Sequence, residues 1–255
     1  MRLISRLRVW GMAVCLVAPT TAAVAQSNQS NPAAALARCT TPVPRDGKAR
    51  ERFLELNRRV REAGHKAQVV FIGDSITQGW EDAGKELWAK YYEHRHALNL
   101  GISSDHTQHV LWRLENGNLE GLDPKVAVVL IGVNNVPDDG NSPGDILAGI
   151  KAVVGQIREK LPRTKVLLLG IFPFHEDFSP QRGKALQVNQ ALHGLEDGKW
   201  IHFLDFGHRF LEPDGKIAKD TMRDFLHPSA RGYRIWAEAM EPKLAGLLGD
   251  APIAP

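Results

Sequence analysis

Cysteine is scarce, with only Cys15 and Cys39 in 255 residues. A chain of this length buries most of its apolar surface without a disulfide or a structural metal. Cys15 lies in an N-terminal segment that reads as removable, so Cys39 has no partner and no internal disulfide is expected. Cys39 is read as a bystander rather than a nucleophile. An excess of one charge is lacking too. There are 32 basic and 29 acidic residues, and three of the basic ones, Arg2, Arg6 and Arg8, belong to the removable segment. The remaining domain is neutral, and no nucleic-acid partner is expected. No Gly-x-Gly-x-x-Gly follows the first apolar run, which disfavours a dinucleotide enzyme, and Gly-x-Ser-x-Gly is absent, which disfavours an α/β-hydrolase elbow. There is no His-Glu-x-x-His and no paired cysteine motif. His94-x-His96 and His106-x-x-His109 lack a carboxylate placed to complete a ligand set, so no catalytic metal is expected.

What is present begins with a leader. Met1 to Arg8 is basic, Val9 to Ala18 is apolar but short for a bilayer, and Ala23-Val24-Ala25 offers the small residues of a cleavage site. Residues 1–25 are read as a signal peptide cut before Gln26, in preference to an uncleaved anchor or a buried helix. The stretches ending at Cys15 and Cys39 fit a lipid-attachment box poorly, so a secreted or periplasmic protein without a stable membrane anchor is expected. Residues 26–47, rich in Gln, Ser, Asn, Ala, Thr and Pro, read as a flexible lead-in, and residues 48–250 as one folded domain.

Within that domain, helical spacing at Arg50 to Ala63 precedes an apolar run, Val69-Val70-Phe71-Ile72. Further runs occur at Ala97 to Leu100, Val126 to Ile131, Val166 to Ile171 and Ile201 to Leu204. Amphipathic stretches lie near 106–115, 143–161, 180–195 and 230–248, and no internal repeat is visible. Continuous apolar strands separated by helices predict a three-layer α/β domain, with about five parallel strands covered on both faces.

Ligands of open parallel sheets bind beyond the carboxyl ends of the strands. The segments there are Gly73-Asp74-Ser75-Ile76-Thr77, Gly101 to Asp105, Gly132-Val133-Asn134-Asn135, Pro173 to Glu176, and Asp205 to Pro228. Taken singly, each admits a bland reading: Ser75 as a helix cap, Asn134 as a turn residue, Asp224-x-x-His227 as a surface ion pair. Together they supply the parts of nucleophilic acyl transfer. Ser75 needs a base, His227 can take its proton, and Asp224 can fix the imidazole tautomer. Pro228 keeps His227 out of helical geometry, ahead of a helix capped by Ser229. The Asn134 side chain and the amides of Ser75 and Ser104 are the candidate oxyanion donors.

These blocks resemble those of the SGNH or GDSL-type hydrolases: Gly73 to Thr77 block one, Gly132 to Asn135 block three, and Asp224-Phe225-Leu226-His227-Pro228 block five. Within that family, His109-Val110-Leu111-Trp112-Arg113-Leu114-Glu115-Asn116-Gly117 is similar to the platelet-activating-factor acetylhydrolase catalytic-subunit branch. The resemblance spans about Val69 to Leu248. It implies a flavodoxin-like sheet of order 2-1-3-4-5 and an ester hydrolase that needs no cofactor. One position departs from the pattern: Ser104 stands where block two carries a glycine before its Asp, here Asp105.

Ile76, Val133 and Leu226 flank the three key side chains, and an acyl pocket that favours acetyl is expected from them. The alcohol side is open to an acetylated sugar, a glycerol ester or a phospholipid ester. The alternative to an esterase is a non-catalytic carbohydrate- or partner-binding module on the same fold.

Overall fold

The computed structural model describes residues 32–255; the leader expected at 1–25 and the first part of the lead-in lie outside them. In chain order the elements are α1 (Pro32–Thr40), α2 (Lys48–Ala63), β1 (Val69–Gly73), α3 (Ser75–Gln78), α4 (Lys85–Tyr91), β2 (Leu98–Gly101), α5 (Thr107–Glu115), β3 (Val126–Leu130), α6 (Pro143–Lys160), β4 (Lys165–Leu169), α7 (Pro180–Leu192), β5 (Ile201–Leu204) and α8 (Ala230–Leu248). The strands form one parallel sheet of order β2-β1-β3-β4-β5. Every residue of β1 and β3 is buried, as unbroken Val-Val-Phe-Ile and Val-Ala-Val-Val-Leu require of strands covered on both faces. Each apolar run of the sequence thus becomes a strand, and the sheet order is the one the family resemblance implies.

Helices α5, α6 and α7 cover one face, with α1 lying on α5 and α6; α4 and α8 pack together on the other. Trp80 and Trp236 are fully buried between α8 and the sheet, their ring centroids 5.0 Å apart, and Trp80 also meets Tyr233 at 4.6 Å and Tyr92 at 5.2 Å. This aromatic layer lies behind the segment that follows β1 and holds α3 against the sheet. The periodicity reading does not anticipate α4, a seven-residue helix too short to show a repeat.

The expectation of a flexible 26–47 segment is corrected over its second part. Pro32 opens α1 at a first-turn position and an Ala-rich run continues it, both favourable to helix, whereas composition alone reads such a run as low complexity. The helix is tied down at its end. Cys39 is fully buried, its carbonyl accepts from Thr107 Oγ1 (2.8 Å), Arg38 donates to the Gly140 carbonyl (2.9 Å), and the Val43 amide donates to Gln108 (3.1 Å). The lead-in therefore braces the loops that follow β2 and β3.

Candidate active site

Ser75 is the first residue of α3, directly after β1. Asp74 caps the helix by accepting from the Ile76 amide at 3.0 Å. At that first helical position a backbone N–H has no intrahelical acceptor and is free for a ligand. The strand end must be glycine: a Cβ on Gly73 would lie 2.3 Å from the Leu130 carbonyl and 2.1 Å from Thr77 Oγ1. The turn after β3 is set by Gly132, whose φ of 118° is in the region that favours glycine.

The loop before α8 supplies the base. His227 Nε2 lies 2.9 Å from Ser75 Oγ, and its Nδ1 lies 2.7 Å from Asp224 Oδ2. The other oxygen of Asp224 accepts from the His227 amide (2.7 Å) and the Leu226 amide (3.2 Å). Burial pushes the Asp224 carboxyl up, but its bonds to the His227 amide and ring and to Leu226 outweigh this and hold it below the usual carboxylate range. An anionic Asp224 accepts a hydrogen bond from Nδ1–H and so keeps the proton on Nδ1, which leaves the Nε2 lone pair for the serine hydroxyl. A backbone bond from His175 to Phe225 (2.8 Å) and a bridge between Met222 and Pro228 fix this loop, in which Phe225 adopts φ 61°. Ser75 and His227, 152 positions apart in the chain, thus meet at hydrogen-bond distance.

Asn134 stands on the same rim. One hydrogen of its amide nitrogen is given to the Asp105 carbonyl at 2.9 Å, and the second remains for a ligand. Ser104 has φ 60°, so the position where the family pattern has glycine keeps a glycine-like backbone despite its Cβ. Its amide can therefore serve as the third donor, at a conformational cost of about 1–2 kcal/mol for a residue with a side chain in this region.

Two of the three residues expected to wall the acyl site are corrected. Ile76 is 1% exposed and Val133 5%, both part of the hydrophobic core, so neither offers appreciable surface to a substrate. Their positions beside Ser75 and Asn134 in the chain say nothing of side-chain direction, and both turn into the sheet. Leu226 alone keeps partial exposure.

The supporting residues are those that sequence reasoning did not single out. Asp105 is buried between Arg113 Nε (2.9 Å) and Arg45 Nη1 (2.9 Å), and Arg113 also donates to the Gly73 carbonyl (2.9 Å). One buried guanidinium therefore links the end of β1 to the Ser104–Asp105 turn. A charged residue one turn after Val110 on an otherwise apolar helix face was the available signal. Asn135 is fully buried; its side chain accepts from the Thr107 amide (3.0 Å) and donates to Gln108 (3.2 Å), joining the loop after β3 to α5.

Asp74 itself is fully buried, which pushes its carboxyl up to about 7; the Ile76 amide opposes the rise and Asp105 adds to it. The folded-state value lies above that of an unfolded Asp, about 4. Between about pH 4 and 7 the folded chain consequently holds more protons than the unfolded one, and Asp74 makes stability fall as pH rises. Asn cannot ionise, so Asp74→Asn removes this part of the slope. Urea midpoints across that interval are expected to decline more steeply for the natural protein than for the variant; parallel curves would contradict the assignment.

Comparison with known proteins agrees with this geometry. Residues 71–235 match the GDSL-like Lipase/Acylhydrolase family. The human platelet-activating factor acetylhydrolase IB subunit alpha1 is 39% identical over 227 residues, covering 88% of this chain and 94% of that protein. The rat alpha2 subunit is 38% identical over 185 residues, covering 72% and 79%. Among solved structures, a GDSL-like lipase from Bacteroides thetaiotaomicron superposes with a TM-score of 0.63 at 19% identity, covering 77% of this chain and 97% of that one. A carbohydrate acetylesterase from Sinorhizobium meliloti gives 0.54 at 19%, covering 70% and 98%. With a matched region that runs from β1 into α8, this chain belongs to the GDSL-like lipase/acylhydrolase family and is a carboxylic ester hydrolase.

Proposed function

We propose that the chain is an exported serine esterase that removes acetyl and other short acyl groups through an acyl-enzyme. The observation that carries the mechanism is the unbroken hydrogen-bonded series Ser75–His227–Asp224, at 2.9 and 2.7 Å. Ser75 Oγ attacks the ester carbonyl while His227 Nε2 takes its proton. The oxyanion that forms is met by the amides of Ser75 and Ser104 and by Asn134 Nδ2. Collapse of the intermediate breaks the bond to the alcohol, and His227 returns the proton to the departing oxygen. Water then repeats the sequence on the acyl-serine, with His227 again as base, and releases the carboxylic acid. A recognition module would have no use for this chain of hydroxyl, imidazole and carboxylate.

The short-acyl reading leaves Leu226, half-buried beside His227, as the apolar residue at the acyl site. The printed name of the human and rat relatives, acetylhydrolase, points the same way. Hydrolysis of p-nitrophenyl esters of increasing length tests this: kcat/KM is expected to be highest at acetate and to fall steadily beyond butyrate. A maximum at octanoate or longer would overturn the short-acyl assignment.

Export rests on the basic, apolar and small-residue succession of residues 1–25. Protein recovered from outside the cytoplasm of an expressing bacterium is expected to begin at Gln26. An intact Met1 start would argue against cleavage.

A further inference from the structure

Beside the oxyanion turn, on the β2 edge of the sheet, lies a cavity of about 290 Å³ whose lining includes Arg45, Lys48, Arg52, Gln78, Ser103 and Ser104. It adjoins the catalytic rim at two points. Ser104 belongs to both, and Gln78 lies one turn after Ser75 on α3 and accepts from the Ser103 amide at 2.7 Å. The opposite wall is formed by the first two turns of α2, which carry Lys48 and Arg52.

The charge of this wall is unbalanced. Asp105 is shared by Arg45 and Arg113, Arg52 and Arg59 share Glu81, and both also contact Glu55. Lys48 forms no ion pair among the described residues, and the cavity lining carries Arg45, Lys48 and Arg52 but no carboxylate. Asp46, the acidic residue nearest in sequence, is exposed and does not line the cavity. Arg45 and Arg52 are held by bonds to the Ser103 and Gly101 carbonyls, and are therefore positioned before any ligand arrives. Two fixed guanidinium groups and one free ammonium around a cavity of this size suit a phosphate or carboxylate.

We propose that this cavity recognises the alcohol portion of the ester and selects alcohols that carry a negative charge. The inference rests on the esterase reading above. With the carbonyl oxygen directed at the Ser75 and Ser104 amides, a two-carbon acyl group is too short to pass Ser104, so the part of the substrate that reaches Lys48 and Arg52 is the alcohol. Phosphate and carboxylate would both satisfy the site.

The test compares kcat/KM for acetylated glycerol phosphate against acetylated glycerol, and for acetylated glucuronic acid against acetylated glucose, with p-nitrophenyl acetate as the reference for turnover. At least one charged member is expected to be preferred over its neutral counterpart by about tenfold or more, the scale of one charge-assisted contact. The preference should shrink as salt is raised and fall several-fold in Lys48→Gln, a substitution at an exposed position that leaves the fold intact. Preference for phosphate alone or carboxylate alone supports the proposal and names the anion. Equal kcat/KM within both pairs, or a preference undiminished in both Lys48→Gln and Arg52→Gln, overturns it while leaving the esterase reading in place. Failure of the natural protein to hydrolyse even p-nitrophenyl acetate overturns that reading and this inference with it.

Discussion

Replacing Ser75 with alanine is expected to lower kcat for p-nitrophenyl acetate by about 10⁵- to 10⁶-fold, the scale of deleting the nucleophile from a serine–histidine–carboxylate set. The substitution removes one oxygen from a half-buried position at the start of α3. The helix cap is provided by Asp74, not Ser75, so unfolding midpoints should be nearly unchanged. His227→Ala should fall to a similar residual rate, because the hydroxyl without its base is a feeble nucleophile at neutral pH. The double variant should be little worse than either single one, since the two groups act as a unit. A Ser75→Ala enzyme that kept more than a few per cent of the natural kcat would exclude a serine acyl-enzyme, whatever the distances around His227.

The second large effect belongs to Asn134. Its free amide hydrogen stabilises charge that exists only after attack has begun, so Asn134→Ala is expected to cut kcat by about 10²- to 10³-fold, or about 3–4 kcal/mol of barrier, with KM little altered. Loss of the bond to the Asp105 carbonyl adds a structural component. The contrast is with Ser104, whose contribution is a main-chain amide. Ser104→Gly keeps that donor and suits the 60° φ, so activity should be retained and stability should rise by a few tenths to about 1 kcal/mol, the relief of a Cβ in the left-handed region less the added freedom of glycine in the unfolded chain. Steady-state kinetics and urea melts on the two variants separate side-chain from backbone donation. Equal losses in both would mean that the turn, rather than its individual donors, is what the reaction needs.

The parts of this site that are legible in the sequence are those fixed by chain direction and strand identity. Val-Val-Phe-Ile and Val-Ala-Val-Val-Leu can be central strands and little else, and in a parallel sheet whatever follows such strands lands on one rim. Ser75 and Asn134 were placed by that argument, and His227 by its proline and by the helix cap that follows it. Residues whose part depends on what lies across a gap were hidden. Ile76 and Val133 are apolar neighbours of reactive side chains, yet their burial depends on how α3 and the loop after β3 turn, which no local pattern encodes. The role of Arg113 requires that α5 lie beneath the end of β1, so that a charge on a helix face meets both Asp105 and the Gly73 carbonyl. Helix α1 was obscured differently: its alanine-rich run reads as linker until α6 is there for the helix to pack against. Ser104 shows the opposite case, where a departure in residue type conceals a backbone conformation of the kind glycine favours.

The central claim is that His227 and Asp224 make the Ser75 hydroxyl reactive. Incubation with a p-nitrophenyl phosphonate ester, followed by mass spectrometry of the intact chain and its peptides, tests this most directly. The expected result is one phosphonyl group per chain, carried on Ser75, formed far more slowly in His227→Ala and not at all in Ser75→Ala. Modification of another residue, or labelling of Ser75 at the same rate with and without the imidazole, would contradict it.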